Sequence, residues 1–231
     1  GDSNNYAANL LLAYLGDQDR RLGARRFTEF MHTLGYTSTY MQTGYDEQGA
    51  VAPLSTPANQ QSAWDTHPDP NLQTTPREMG RFLADLFYCA QGEGPMLDYF
   101  AGELSAEKCR TVLFYMTHDE FQQMTWAGLP RPDNTWILHK HGFAVESHSD
   151  VALIWSHSGP YTLSIFLWRA GWMDWFTSNR TMKTISRITW NFFEFRAQTL
   201  GLDEVPHFTL APPPGYQRIP ANHIPVVARG D

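Results

Sequence analysis

Apolar positions recur at helical spacing through the amino-terminal part of the chain. Asn5 to Leu15 is rich in Ala and Leu and stops at Gly16. In Leu22 to Leu34, Phe27, Phe30, Met31 and Leu34 fall at i, i+3, i+4 and i+7, and Gly35 follows. Both stretches predict helices with glycine stops. From Tyr36 to Thr74 the period fails, broken by Gly44, Gly49, Pro53, Pro57, Pro68 and Pro70. A loop of that length inside a compact domain is either functional or disordered. Thr75-Pro76-Arg77-Glu78 opens the next helix. Thr75 suits the N-cap, Pro76 the first helical position, and Glu78 completes a capping box. Phe82, Leu83, Leu86 and Phe87 supply its buried face. Ser105 starts a further helix with Cys109, Val112, Leu113 and Met116 on one stripe, and Gly128-Leu129-Pro130 ends the helical region.

The period then shortens. Thr135 to Leu138, Val151 to Trp155 and Thr162 to Trp168 read as strands, with a hairpin turn around Ser158-Gly159-Pro160 between the last two. A long helix follows, with Met182, Ile185, Ile188, Phe192 and Phe195 at 3–4 spacing and Gly201 behind it. Trp155, Trp168, Trp172 and Trp175 are expected to pack the sheet and this covering helix. Residues 202–231 are Pro-rich and read as an extended tail.

Composition narrows the classes. The 231 residues suit one domain of ordinary size, and 42% hydrophobic with 18% charged residues excludes a disordered solvating chain. The net charge of −7 argues against nucleic acid, whose phosphates need clustered Lys and Arg. No apolar run is long enough to form a transmembrane segment. Two cysteines, Cys89 and Cys109, exclude a disulfide scaffold and most zinc modules. They lie on two consecutive predicted helices. Two buried thiols are the preferred reading, and a disulfide is the alternative in an exported protein.

Five short motifs then fall in one order. Ser3-Asn4-Asn5-Tyr6-Ala7-Ala8-Asn9-Leu10-Leu11-Leu12 closely resembles the Ser-x-Asn segment of class A β-lactamases and related penicillin-recognising serine hydrolases. There it reads Ser-Asp-Asn, one residue, Ala-Ala-Asn-Leu-Leu; here Asn4 stands in place of the Asp. Phe30-Met31-His32-Thr33-Leu34-Gly35 resembles the helix end before that family's omega loop, and Thr74-Thr75-Pro76 the helix start after it. Leu129-Pro130 precedes the strand Trp136-Ile137-Leu138-His139, which leads into Lys140-His141-Gly142, similar to the family's Lys-Thr/Ser-Gly triplet. Asp150-Val151-Ala152-Leu153-Ile154-Trp155 resembles the next strand. Each motif alone is weak; their shared order is strong.

The resemblance implies an α+β, β-lactamase/transpeptidase-like fold. Residues 1–135 would be a helical region with Ser-x-Asn and a long omega-like loop. Residues 136–200 would form a three-stranded antiparallel sheet with Lys-x-Gly and a covering C-terminal helix, and 201–231 the Pro-rich tail. In the intact family fold, a segment ahead of Ser-x-Asn adds two strands and another helix. Without that partner, the strand Thr162 to Trp168 is expected to leave an edge and part of an apolar face open.

The resemblance also assigns roles. Ser3 would relay a proton to the leaving nitrogen, and Lys140 would hold the local field positive. Asn5 would bind the substrate's acyl side-chain carbonyl. The backbone N–H of Phe143 would be an oxyanion donor, and Gly142 would let the substrate approach the strand. His141 stands where the family has Thr or Ser, so an imidazole N–H would replace the hydroxyl that holds the substrate carboxylate. Taken alone, Ser3 is an ordinary helix N-cap, Asn5 a helix-start residue and Lys140 a solvated strand-end charge; the shared order favours the functional reading.

Two expected parts are displaced. The family's nucleophile lies in a Ser-x-x-Lys ahead of Ser-x-Asn. This chain carries that pattern only at Ser105-Ala106-Glu107-Lys108, behind it. Ser105 reads as an N-cap and Lys108 as a surface charge, so the nucleophile segment is expected outside these residues and the chain alone is expected to be inactive. The omega-loop base position falls at Tyr45, beside Asp46 and Glu47, either of which would serve after a slip of one or two residues; a solvated acidic turn is the plainer reading. His139 and His141 share a strand face, with His148 nearby. With no carboxylate or Cys partner evident, they read as surface histidines and no metal or cofactor is implied. The substrate would be a small β-lactam or a peptidoglycan-like amide. The bacterial β-lactamase relatives place such a protein in the periplasm or outside the cell and link it to antibiotic resistance. A cell-wall D,D-peptidase or transpeptidase is the alternative, as is a non-catalytic binding module on the same fold, which Asn4 and His141 favour.

Overall fold

The computed structural model of the chain describes residues 4–45, 47, 52–61, 69–118, 121–130, 135–203, 205 and 208–216. Two helices open it, α1 Asn5–Leu15 and α2 Arg20–Thr33. Two short strands, β1 Tyr40–Met41 and β2 Leu72–Gln73, pair antiparallel and bracket the long loop. The helices α3 Pro76–Gln91, α4 Pro95–Tyr99, α5 Ala106–Met116 and α6 Thr125–Gly128 follow. The sheet is β3 Trp136–Phe143, β4 Ser147–Ser156 and β5 Gly159–Trp168, antiparallel in that order, and α7 Trp175–Leu200 closes the chain of elements.

The helix starts follow their caps. Asp19 accepts the Arg21 and Leu22 N–H groups, Thr75 that of Glu78, Ser105 that of Lys108 and Asp174 that of Thr177. The expected capping box at Thr75 does not close. The Glu78 carboxylate accepts instead from the Ser38 N–H at 2.9 Å and the Thr39 hydroxyl at 2.6 Å, tying the loop to α3.

The sheet separates two cores because side chains alternate across it. Leu138, Val151, Leu153 and Trp155 face the helices, packing with Met31, Leu83, Leu86, Phe87 and Leu113. Ala152, Ile154, Tyr161 and Ile165 face α7, against Trp190 and Met182. β5 pairs only with β4 among the described residues, and its Trp168 is exposed while Ile165 is buried.

Several expectations are corrected. The strands run further than the apolar runs suggest, because the polar stretches His139–His141 and Ser147–Asp150 continue the ladder. On α7 the residues turned inward are Ser178, Met182, Ser186, Trp190 and Ala197; Ile188, Phe192 and Phe195 are exposed. Small residues face inward there because α6 crosses at backbone distance: a Cβ on Gly128 would lie 2.4 Å from the Lys183 carbonyl oxygen. Val112 on α5 is likewise exposed. The tail is extended but packed. Phe208 stacks on Trp155 and meets Phe87 edge-on, and the Tyr216 hydroxyl bonds to His118 Nε2 at 2.8 Å.

Cys89 and Cys109 form a disulfide between α3 and α5, not two thiols. Both sit in the core between these packed helices, which bring their Cα atoms to 5.9 Å, within bridging range.

The histidine assignment also changes. His139 is 2% and Asp150 0% exposed, with Nδ1 of His139 3.0 Å from Asp150 Oδ1. Asp150 Oδ2 accepts the Thr125 N–H at 3.1 Å. His139 pairs in register with Ala152 and Asp150 with His141, so the carboxylate partner sits diagonally across the ladder, under α7. His148 is buried too.

Two measurements check these features. Replacing both cysteines by serine frees a loop of 20 residues and is expected to cost about 3 kcal/mol of unfolding free energy in a denaturant titration. Asp150→Ala removes a buried acceptor of two groups and is expected to cost about 3 kcal/mol by the same assay; a loss within about 0.5 kcal/mol would show the pair to be incidental.

Candidate functional site

The first turn of α1 carries the polar motif. Asn4 is the N-cap, its side chain accepting the Ala7 N–H at 3.1 Å, so it takes the structural task that Ser3 alone would suggest. Asn5 is the first helical residue and is exposed. Ser3 lies outside the described residues.

Asn9, one turn further, is buried and reads the long loop through its backbone. Its Oδ1 accepts the Tyr45 N–H at 2.7 Å and its amide donates to the Tyr45 carbonyl at 2.9 Å. A Cβ on Gly44 would lie 2.7 Å from Asn9 Oδ1, so only glycine lets the loop come this close. The clamp puts Tyr45, a phenol, at the counted base position. Glu47 is engaged elsewhere: it pairs with Arg20 at 2.8 Å and its other oxygen accepts the Gly44 N–H at 3.4 Å. Asp46 lies outside the described residues.

The rest of the loop is held by polar side chains. Tyr36 donates to Asp85 on α3 at 2.5 Å, and burial with this carboxylate raises the phenol's pKa well above its usual value. The Gln73 amide donates to the Ser38 carbonyl and the Thr56 hydroxyl, both at 2.8 Å.

β3 carries the other candidate residues, Lys140 to Phe143. Its outer edge has no strand partner among the described residues. The Ala144 N–H donates to the Ser147 carbonyl at 2.7 Å, which makes Phe143 and His148 a non-hydrogen-bonded pair. The Phe143 N–H therefore points out from the sheet at the open edge. His141 lies two residues back in the same phase, so its carbonyl also points outward, and the Lys140 ammonium donates to it at 2.5 Å. A cation and an outward N–H thus stand together on one edge. Lys140 shares the face of Leu138 and is exposed, whereas the His141 ring lies on the other face, stacked on Phe121 at 4.0 Å between centroids. Gly142 keeps its neighbourhood low, with Ser149 Oγ the nearest atom to a built Cβ at 3.3 Å.

Ser105 caps α5 by accepting the Lys108 N–H at 3.3 Å, and Lys108 donates to the Glu103 carbonyl at 2.5 Å. No group of three His, Cys, Asp or Glu side chains converges among the described residues. The sequence reading gave Asn9 no role, although an Asn within an apolar helix is a signal for a buried bond. It also missed the Asp150 carboxylate, whose signal was its register against the histidines.

The profile of the β-lactamase enzyme family matches residues 1–193, and the chain belongs to that family. Solved structures share the fold. A variant of the class A β-lactamase of the last common ancestor of Gram-negative bacteria, bound to 5(6)-nitrobenzotriazole, is 21% identical with a TM-score of 0.58 and covers 84% of this chain and 61% of its own. The β-lactamase of Sphaerobacter thermophilus is 16% identical with a TM-score of 0.60, covering 84% and 59%. A mutant of PBP-A, an acyl-enzyme complex with penicillin G, is 17% identical with a TM-score of 0.54, covering 78% and 55%. This chain therefore spans about three fifths of the length of such structures. A search of curated protein sequences returns no match. No helix among the described residues is long and apolar enough to cross a membrane.

Asn9→Ala removes both bonds to Tyr45 and is expected to cost about 2 kcal/mol. Its signature is local: amide exchange accelerates across residues 43–47 while the sheet stays protected.

Proposed function

We propose that this protein is a serine acyl-transfer hydrolase of the β-lactamase type, acting on β-lactams or related small amides. The observation that carries the reading is the open edge of β3, where the Phe143 N–H points outward beside the Lys140 ammonium. Acyl transfer develops an oxyanion as a nucleophile attacks, and a fixed N–H aimed at that oxygen stabilises it. A cation close by favours the substrate's carboxylate and eases the proton relay, which this reading gives to Ser3 and Lys140. Asn5 would take the acyl side-chain amide, and His141 and Gly142 would border the carboxylate. Ser105 is used as a cap, so the nucleophile of this reading is a Ser-x-x-Lys outside residues 1–231. The Cys89–Cys109 bridge supports an oxidising compartment, periplasmic or extracellular.

A second reading is favoured by the loop. Tyr45 occupies the clamped position and Glu47 is paired with Arg20, so among the described residues no carboxylate is poised there to activate a deacylating water. Such a site acylates and releases slowly, as a D,D-peptidase or transpeptidase-like protein does with penicillin.

The test uses the protein made from its full reading frame. A fluorescent penicillin is expected to label it covalently, with a burst near one equivalent followed by slow turnover. Lys140→Ala is expected to slow acylation by about 10²–10⁴-fold. Ser105→Ala is expected to leave labelling intact and to cost about 1 kcal/mol of stability. No label would overturn the proposal and leave a non-catalytic module, whereas label lost in Ser105→Ala would make Ser105 the nucleophile and overturn its assignment as a cap alone. Fast turnover would place it with the β-lactamases and against slow release.

A further inference from the structure

On the α7 side of β3 lies an open groove of about 620 Å³, with Phe143 and Trp172 largely exposed along it, that the acyl-transfer reading does not use. Its walls are Phe121, Phe143, Trp172, Met173 and Trp175, with the β3–β4 turn as a rim. The rings are arranged edge to face around Trp175, with centroids 5.7 Å away for Phe143, 5.8 Å for Phe121 and 5.4 Å for His148. The frame is preformed: Met173 N–H donates to the Val145 carbonyl at 2.8 Å and Arg169 N–H to the Glu146 carbonyl at 2.9 Å, locking the turn to the loop before α7.

Besides the indole N–H groups of Trp172 and Trp175, one side chain with a hydrogen-bond acceptor lines this cavity, His148, which is 5% exposed. Its Nδ1 lies 2.5 Å from Ser178 Oγ. The Ser178 hydroxyl proton is given to the Trp175 carbonyl at 3.0 Å, so Ser178 Oγ accepts and Nδ1 carries the hydrogen. Burial also lowers the imidazole's pKa, against the opposing pull of Asp174, so the ring is neutral near pH 7. A neutral ring protonated at Nδ1 presents a lone pair at Nε2, which makes no hydrogen bond within the described protein.

We propose that this cavity is a binding site for a neutral, planar aromatic molecule that carries one O–H or N–H donor, stacked among the aromatic walls with its donor on His148 Nε2. No Lys or Arg lines the cavity and the Asp174 carboxylate acts electrostatically on His148, so a carboxylated ligand is disfavoured. That separates it chemically from a site for penicillins. The inference is independent of the acyl-transfer reading.

The probes are 2-naphthol and 2-methoxynaphthalene, which share shape and differ in the donor. They are titrated by calorimetry into the protein made from its full reading frame, with the His148 ring nitrogens followed by NMR. 2-Naphthol is expected to bind about tenfold more tightly and to shift the Nε2 resonance, the worth of one buried hydrogen bond. In His148→Phe, which keeps a ring and removes the acceptor, the two probes are expected to bind equally. Equal binding in the unaltered chain, or an Nε2 resonance that 2-naphthol does not move, would overturn the proposal. The comparison in the unaltered chain decides it even if the variant does not fold.

Discussion

A carboxylate with no exposure to water holds the sheet to everything above it. Asp150 faces the α7 side, where an unpaired charge would cost several kcal/mol. It is met by His139 from β3 and by the Thr125 N–H from α6. The Thr125 carbonyl in turn accepts the Ser186 hydroxyl of α7 at 2.7 Å. One buried group thus couples β3, β4, α6 and α7. Its first consequence is register. A one-residue slip of β3 would send Lys140 to the α7 face and strip Asp150 of His139. The pair therefore fixes which face of the strand carries the lysine and which residues offer their N–H groups at the open edge.

The long loop is ordered by a different means. Tyr36 and Tyr40 anchor its start in the core, and hydrogen bonds from fixed elements hold much of the rest. Asn9 grips the Tyr45 backbone, Glu78 takes Ser38 and Thr39, and Asp85 takes Tyr36. A grip on backbone is indifferent to the side chain it holds. The same scaffold can therefore present a carboxylate or, as here, a phenol, and the chemistry at that position changes without a change in the fold.

Much of this was legible in the sequence where the rule is local. The starts of α3 and α5 follow from Thr75 and Ser105, and the stop of α2 from Gly35, because a cap needs only neighbours in the chain. The motif order also carried the family and the α+β class. What was not legible depends on pairs distant in sequence. Cys89 and Cys109 can bond only once α3 and α5 pack, and His139 gains Asp150 only through the β3–β4 register. Bulk misled on α7, where Phe192 and Phe195 were placed inside. The close crossing of α6 at Gly128 instead requires small residues, Ser186 above all. On the candidate site, Lys140, His141 and Phe143 are named from pattern alone, and the pattern does not say which way each group points.

That direction is what places two chemistries next to each other. A strand turns successive side chains to opposite faces while its N–H groups alternate between the two edges. Phe143 joins both systems. Its N–H points to the open edge beside Lys140, and its ring forms a wall of the aromatic cavity against Trp175. The strand ends there, in a turn whose position is held by Met173 and Arg169 from the loop before α7. The Phe143 ring is itself largely exposed, so the aim of its N–H is set by the ladder to β4 and by the Ala144 N–H bond to the Ser147 carbonyl.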